Sequence, residues 1–440
     1  MITLPNFAIF RYIHHVRMSS KRVYVMYEIE QREFRSRLML AKLLSHNGFE
    51  VLIFQHRMLS MLALFAKPGT VFLKSNPYQF DYSISLLSKR GFKIYLWQEE
   101  GIHFRRDQKE SPVFSTKSVP WIYKYLAWHP TDASFAIKQG FPSERVEICG
   151  NTRMELASKI DRRRGNSNDP LRLLVVSNFD MSAMSYNFLT DGSMGATAAR
   201  ESQDEFDLIK SVALKNFQLY EELLNRVDFS RFKVTYRPYF FEQQISTFST
   251  NVSLDQNLSV IDTLKSSDVV VHYGSTVGVE AVQAGILSIN LSADLTSIDP
   301  RILGVSLNFS EVTELLARLY FFSENPTELE SVITAQAAAC IKWYEIDFRR
   351  SGQSQLILKE LLEGTFVPGK DFPNFSTLRV LYLELRNFLG GMKRASFRRV
   401  AKRKAPLLSA ERIQREHSMF AVDSRFMKVK YFGRALKISP

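Results

Sequence analysis

The sequence predicts an α/β protein with two parallel-sheet domains. Its 440 residues exceed the usual size of one domain, and strand and helix patterns alternate along it in two separate series. Hydrophobic residues make up 45% of the chain and charged residues 23%, which excludes a disordered or fibrous protein. The only two cysteines, Cys149 and Cys340, are too few for a disulfide framework, and no Cys/His spacing indicates zinc.

The first series runs over residues 22–160. Apolar residues at helical spacing predict a helix over residues 32–44, which Gly48 ends. Strand and helix patterns then repeat about every 25 residues, which is typical of crossover connections within a parallel sheet. The predicted strands are residues 23–27, 50–54, 71–74, 93–97 and 146–149.

The second series runs over residues 171–365, after a polar linker rich in helix breakers. It contains a long predicted helix at residues 205–227, and helices predominate over residues 312–362. The predicted strands are residues 171–176, 232–236, 268–271 and 286–290. Because ligands bind outside the carboxyl ends of parallel strands, we expect the functional residues in loops that follow strands and face a cleft between the two domains.

Positive charge is concentrated at the C-terminus. Residues 391–440 contain 14 Lys or Arg and 3 Asp or Glu, so they carry +11 of the formal net charge of +13. Phe397, Val400 and Ala401 have helical spacing among basic residues. We predict a basic helical tail over residues 375–440 that lies on an anionic membrane surface. A solvated tail is one alternative; nucleic acid is a disfavoured partner, since no nucleic-acid module accompanies the charge.

The most informative segment follows the predicted strand at residues 268–271. Gly274, Ser275 and Thr276 form a turn that opens a helix, and such a helix start binds phosphate through amides, hydroxyls and the helix dipole. Capping alone is the alternative role for the two hydroxyls. Glu280, one turn further on, is a candidate ligand of a ribose or sugar hydroxyl, or else a structural hydrogen-bonding residue.

Three carboxylates follow predicted strands. Glu99 and Glu100 come after the strand at residues 93–97 and suit a general base, or a group that orients a sugar hydroxyl. An exposed acidic turn is the alternative. Asp180 follows the first strand of the second series and is a candidate nucleophile or stabiliser of an oxocarbenium-like centre, with a local cap as the alternative.

Three further residues are candidates for binding the donor. Arg237 ends a predicted strand, and its guanidinium forms a fork suited to phosphate or carboxylate, with a surface salt bridge as the alternative. Asn151 and Arg153 lie at the junction between the two predicted domains, where an amide or guanidinium can contact a donor.

Several motifs do not occur in the sequence. It has no Walker phosphate loop, no GxGxxG after the first strand, no GxSxG elbow and no Asp-x-Asp pair. This disfavours kinases, dehydrogenases, serine hydrolases and metal-dependent transferases. Transfer from a nucleotide-activated donor without a metal or cofactor is compatible with the residues present, so we predict neither.

On these features the sequence resembles GT-B glycosyltransferases. The two-domain layout, the junction at residues 150–153 and the helix start at Ser275 and Thr276 carry the resemblance. It implies two Rossmann-like domains facing a cleft. The N-terminal domain would bind the acceptor and the C-terminal domain the nucleotide-sugar donor.

Two narrower resemblances concern the first domain. Its first strand and helix resemble bacterial surface-carbohydrate biosynthesis proteins through the residues Tyr27, Glu28, Arg32, Glu33, Phe34 and Arg37. Glu99-Glu100-Gly101 is similar to a motif of bacterial transferases that use CMP-activated Kdo or sialic acid. This resemblance implies that Ser275 and Thr276 bind the CMP phosphate and that Asp180 is the nucleophile of a retaining reaction. Such proteins often have a His after the Arg-Pro pair, whereas Tyr239 stands here.

Taken together, the sequence predicts a metal-independent glycosyltransferase, with CMP-Kdo as the preferred donor. The expected acceptor is a bacterial surface polysaccharide or lipid-linked glycan, at the cytoplasmic face of the inner membrane. A CDP-glycerol-type polyol-phosphate transferase is one alternative, with His272 activating the acceptor. A nucleotide- or nucleic-acid-binding protein without turnover is the other.

Overall fold

A computed structural model describes residues 21–97, 114–161, 169–177, 203–238, 250–255, 259–348, 352–363, 428–432 and 435–439. These residues form two compact units. The first unit contains the described residues up to Thr152 and those from Gly352 onward, and the second contains those from Arg153 to residue 348. Each unit is built around one sheet.

The first sheet has six parallel strands in the order β2-β1-β3-β4-β5-β6. The strands are β1 Arg22–Tyr27, β2 Glu50–Gln55, β3 Thr70–Leu73, β4 Lys93–Leu96, β5 Lys124–Ala127 and β6 Val146–Ile148. All five strands predicted for this half are confirmed, and β5 is an additional one. All six residues of β1 are buried, as expected for a parallel sheet that is covered on both faces.

The first sheet separates two hydrophobic cores. Tyr24 and Met26 of β1 enter one core, and Val23, Val25 and Tyr27 enter the other, because side chains alternate across a strand. The helices that cover the faces are α1 Glu30–His46, α2 Leu59–Phe65, α3 Asp81–Lys89 and α4 Pro130–Lys138. A further helix, α5 Thr152–Ser158, contains the division between the units.

The second sheet has six parallel strands in the order β12-β11-β10-β7-β8-β9. The strands are β7 Leu171–Val176, β8 Phe232–Arg237, β9 Ser253–Leu254, β10 Val269–His272, β11 Leu287–Leu291 and β12 Leu307–Phe309. The helices are α6 Gln203–Arg226, α7 Val260–Leu264, α8 Thr276–Gln283, α9 Pro300–Val305, α10 Val312–Glu324 and α11 Pro326–Tyr344. The predicted strands of this half are confirmed; the short β9 and β12 are additional.

After the second unit the chain returns to the first. Helix α12, Gln353–Glu363, packs Ile357 and Leu358 into the core that contains Val23, Val25 and Tyr27. Gln353 Nε2 donates to the Gly150 carbonyl oxygen at 2.8 Å, and Lys124 Nζ donates to Glu360 Oε1 at 2.8 Å. Residues 352–363 therefore belong to the first unit, although the predicted second domain extends to residue 365.

The last described residues differ from the predicted helical tail. They form an antiparallel hairpin of β13 Lys428–Phe432 and β14 Ala435–Ser439, and β14 pairs with the edge strand β2. The hairpin covers the edge of the parallel sheet, which would otherwise offer unpaired backbone groups. The predicted basic helix at residues 392–404 lies outside the described residues. No helix in the described part of the chain is both long and apolar enough to span a bilayer.

Candidate functional site

The carboxyl edge of the second sheet contains a topological switch point. The chain passes from β7 to β8 and β9 on one side of β7, and then returns to β10 on the other side. β7 and β10 are direct neighbours, with Val176 opposite His272 in the register. Ligands of open α/β sheets bind where the strand order reverses in this way. The segments that leave this point are Ser177 after β7 and the Gly274–Thr276 turn after β10.

The turn after β10 requires glycine at position 274. Gly274 has a φ of +52°, and a Cβ added there would lie 2.8 Å from Ile298 Cδ1. Its backbone N–H donates to Asn290 Oδ1 at 2.9 Å. The backbone is therefore fixed one residue before the helix cap.

Ser275 is the N-cap of α8. Its Oγ accepts a hydrogen bond from the Val277 N–H at 3.3 Å, and no acidic residue lies in the first turn of the helix. The positive end of the helix dipole is thus not neutralised within its own first turn. Because a capping hydroxyl accepts with its oxygen, its proton can still be donated to a phosphate. The two roles considered for Ser275 are compatible.

Three of the predicted site residues lie together in the second unit. Arg153 pairs with Glu280, and the side chains of both are only 2% exposed. Arg153 Nη2 also donates to Thr276 Oγ1 at 3.1 Å. Because the Thr276 oxygen accepts from Arg153, its own proton is directed elsewhere. In this structure the Glu280 carboxylate therefore holds Arg153, which in turn positions the hydroxyl at the helix start.

One predicted donor residue, Arg237, lies apart from this group, on another strand of the second sheet. Arg237, at the carboxyl end of β8, pairs with Asp255, whose carboxylate is fully buried and also accepts from Thr263 Oγ1 at 2.6 Å. The guanidinium is thus engaged by a carboxylate on the side of β7 away from β10. Asn151 is buried just before α5, two residues before Arg153, and the division between the two units falls between these residues.

His272 is a structural residue in this turn. It is fully buried, and burial lowers the pKa of its imidazole to about 3. Nδ1 accepts from the Ser275 N–H at 3.3 Å, which leaves the proton on Nε2, 2.9 Å from Ser288 Oγ. A Cβ at Gly278 would collide with the ring, so α8 packs directly on it. Both ring nitrogens bind protein groups, which disfavours the alternative in which His272 activates an acceptor.

Asn290 was not among the predicted residues. It is fully buried at the end of β11, in register with His272. Because Oδ1 accepts from Gly274, the other atom is the amide nitrogen, and it has no acceptor among the described residues. Buried polar groups are normally satisfied, so this donor beside the turn indicates a position for a ligand oxygen. The signal in the sequence is a polar residue ending the apolar strand 286–290.

Three predicted catalytic carboxylates lie outside the described residues. They are Glu99 and Glu100, which follow β4, and Asp180, which comes three residues after Ser177. The strands that precede them end at the carboxyl edges of the first and second sheets, respectively. Within the described ranges no three His, Cys, Asp or Glu side chains are grouped as a metal site would need.

No protein-family model and no curated protein matches the chain. Among solved structures it is similar to a Listeria monocytogenes protein assigned as a UDP-N-acetylglucosamine 2-epimerase, with a TM-score of 0.50 and 11% identity over 81% of this chain and 100% of that one.

Two more solved structures are similar to the chain. S. aureus MnaA, in complex with UDP, has a TM-score of 0.49 and 12% identity, covering 80% of this chain and 100% of that chain. The wall teichoic acid polymerase TagF has a TM-score of 0.48 and 10% identity, covering 78% of this chain and 88% of that chain. The Listeria match and the two parallel sheets confirm the predicted α/β fold class.

Proposed function

We propose that this protein is a nucleotide-sugar-dependent glycosyltransferase that binds its donor at the carboxyl edge of the second sheet. The observation that carries the proposal is the Gly274–Thr276 turn at the switch point between β7 and β10. It combines a capped helix start with the buried Arg153 and the amide nitrogen of Asn290, which has no acceptor among the described residues. These features suit a phosphate group of the donor.

In this proposal the helix start stabilises the leaving group. Transfer of the sugar breaks the bond between the anomeric carbon and a phosphate oxygen, so negative charge grows on the departing nucleotide. The α8 dipole and the hydroxyls of Ser275 and Thr276 are fixed before the reaction, so they stabilise this charge without reorganisation. The buried Arg153, held by Glu280, donates to Thr276 Oγ1 and fixes that hydroxyl at the helix start. No step in this scheme requires a metal ion.

The remaining parts of the predicted reaction are also proposals. Asp180 would attack or stabilise the anomeric carbon, in a reaction that retains its configuration. Glu99 or Glu100 would handle the acceptor proton in the first unit, and the acceptor would be a surface polysaccharide or lipid-linked glycan. CMP-Kdo is one donor to test, and the fold shared with the assigned epimerase from Listeria makes UDP-sugars the other. The basic residues around 393–404 would bind the inner face of the membrane.

The buried state of His272 argues against polyol-phosphate transfer through that residue. The other candidate function is a protein that binds a nucleotide at the same site without catalysing a reaction. Incubation with UDP-N-acetylglucosamine, UDP-glucose and CMP-Kdo, followed by nucleotide release, separates the two functions. Nucleotide release with a transferred or hydrolysed sugar is expected. Nucleotide binding without any release would indicate the binding protein.

The structure offers a matched pair of serine variants for the binding site. Ser275 and Ser259 are both N-caps in the second unit, and Ser259 Oγ accepts from the Ile261 N–H at 3.4 Å. Each substitution by alanine should cost about 1 kcal/mol of stability through the lost cap. Only Ser275→Ala should weaken nucleotide binding in calorimetry. Equal nucleotide affinities of the two variants would refute the proposed donor site.

A further inference from the structure

The first sheet has a switch point of its own, between β1 and β3. The chain goes from β1 to β2 on one side, and β3 then pairs with β1 on the other side. Glu28 directly follows β1, and Lys74 directly follows β3. Two oppositely charged residues thus lie at the position where an open parallel sheet binds ligands.

Lys74 joins two carboxylates at this edge. Its Nζ lies 2.8 Å from Glu28 Oε2 and 3.2 Å from Glu33 Oε1. The side chains of Lys74 and Glu33 are 2% and 0% exposed, whereas that of Glu28 is 25% exposed. Glu28 is therefore the member of this cluster that a ligand in solution can reach.

Glu33 holds the cluster in place through hydrogen bonds to its neighbours. Its Oε2 accepts from the backbone N–H of Glu28 at 2.7 Å, and its Oε1 accepts from Arg32 at 3.0 Å. Burial raises the pKa of Glu33, but the charges of Lys74, Arg32 and Arg37 outweigh it and lower the pKa to about 2. The carboxylate is thus ionised at neutral pH and holds both the Glu28 backbone and the Lys74 ammonium.

Trp97 brings a further polar group to the same edge. It follows β4, is 2% exposed, and lies under the Arg37 guanidinium, 4.1 Å from the ring centroid. Its indole N–H has no acceptor among the described residues. A buried donor of this kind is normally satisfied. The edge therefore presents a carboxylate acceptor at Glu28 and an indole donor at Trp97.

The pairing of the charged groups indicates the class of ligand. Glu28 and Glu33 form ion pairs with Lys74 and Arg32, and the Arg37 guanidinium donates to the Met26 carbonyl oxygen and to Thr152 Oγ1. An added ion would therefore compete with groups that already have partners. A neutral ligand with several hydroxyls can donate to Glu28 and accept from an N–H without that cost. Sugars are ligands of this class.

We infer that Glu28 accepts a hydrogen bond from a hydroxyl of the sugar acceptor, and that Lys74 is the positioning residue for its carboxylate. The inference rests on the proposed function, since it assigns the acceptor side of that reaction. Glu28 moves no proton in this role. It orients the acceptor, and the pairing with Lys74 holds the carboxylate in one place before the sugar binds.

The test measures sugar binding and nucleotide binding separately. Saturation-transfer NMR with D-glucose, D-galactose and N-acetyl-D-glucosamine reports sugars, and calorimetry with UDP and CMP reports the nucleotide site. Glu28→Ala, Glu28→Gln and Lys74→Met are compared with Glu50→Ala. Glu50 is a matched control, because it lies at the opposite edge of the same sheet, pairs with Arg22 at 2.9 Å and is 16% exposed.

We expect wild-type protein and Glu50→Ala to bind at least one of the sugars. The Glu28 and Lys74 variants should lose at least tenfold in sugar affinity, with unchanged nucleotide affinity and circular dichroism. Sugar binding that survives in Glu28→Ala and Glu28→Gln, or no sugar binding by the wild type, would overturn the inference. Failure of the wild type to bind either nucleotide would instead count against the proposed function.

Discussion

Arg153 and Glu280 form a buried ion pair, and the same guanidinium donates to Thr276 Oγ1, the first residue of α8. One cation thus ties the start of the helix to a carboxylate one turn further on. The chain holds this charge near the turn that we propose binds a phosphate. Stability and binding should therefore respond differently when the pair is altered.

Removal of one partner of this ion pair should lower the stability of the protein. Glu280→Gln leaves the Arg153 charge buried without its carboxylate, so we expect a loss of about 3–5 kcal/mol in the free energy of unfolding. The double variant Arg153→Met/Glu280→Leu removes both charges and should recover most of that loss. Urea denaturation measures both. If Glu280→Gln is as stable as the wild type, Glu280 is not the partner that holds Arg153.

The buried His272 should make the protein sensitive to moderate acid. In the unfolded chain its pKa returns to about 6.5, whereas burial lowers it to about 3 in the folded protein. The unfolded state therefore binds the proton first, and this contribution to stability is full above pH 6.5 and is lost as the pH falls toward 3. Each pH unit below 6.5 should cost up to about 1.4 kcal/mol.

The variant His272→Gln provides the comparison for that acid sensitivity. Its free energy of unfolding should fall less steeply than that of the wild type between pH 6.5 and 5, because only the wild type has the imidazole. Denaturation at several pH values measures both slopes. Identical slopes over that range would mean that His272 is protonated without unfolding.

The turn before α8 should tolerate no side chain at position 274. Gly274 and Gly285 both have positive φ, +52° and +72°, but only Gly274 faces a neighbour that a Cβ would meet. Gly285→Ala should cost about 1–2 kcal/mol through backbone strain. Gly274→Ala should cost somewhat more, because the terminal Cδ1 methyl of Ile298 must also move. Thermal unfolding of the two variants measures the difference, and equal losses would refute the close packing.

The Asn290 amide should contribute to binding of the donor, and a buried carboxylate in its place should also lower the stability of the fold. Asn290→Asp keeps an oxygen for the Gly274 N–H, but it replaces the unsatisfied N–H donor with a negative charge. We expect at least tenfold weaker nucleotide binding, about 1.4 kcal/mol. Asn308→Asp on the neighbouring strand is the control, since Asn308 donates only to the Leu303 and Ser306 carbonyl oxygens. Equal affinities in calorimetry would exclude Asn290 from the site.

The strands that form the centre of each sheet could be predicted from the sequence. Strands such as β1 and β10 are buried on both faces, so they appear as continuous apolar runs. The short β12 gives too little pattern to identify. The hairpin was missed because the helical spacing of Phe397, Val400 and Ala401 was extended to the whole tail. Lysines alternate with apolar residues at 428–432, which is the period of a strand.

Only the local features of the candidate site could be predicted from the sequence. The turn at Gly274–Thr276 is local, so its glycine and hydroxyls are visible in the sequence. The contacts of Arg153 and Asn290 join residues far apart in the chain, and a single sequence gives no register between strands. Glu28 and Lys74 are 46 positions apart and meet only because β1 and β3 are neighbours. The sequence of helix α12 shows that the helix has an apolar face, but it does not show that this face packs on the first unit.

The central claim is that a phosphate of the donor binds at the start of α8. A crystal structure of the protein soaked with UDP or CMP tests it most directly. The account predicts a nucleotide phosphate within hydrogen-bond distance of Ser275 Oγ, with an oxygen near Asn290 Nδ2. A nucleotide bound elsewhere, with the Gly274–Thr276 turn unoccupied, would contradict it.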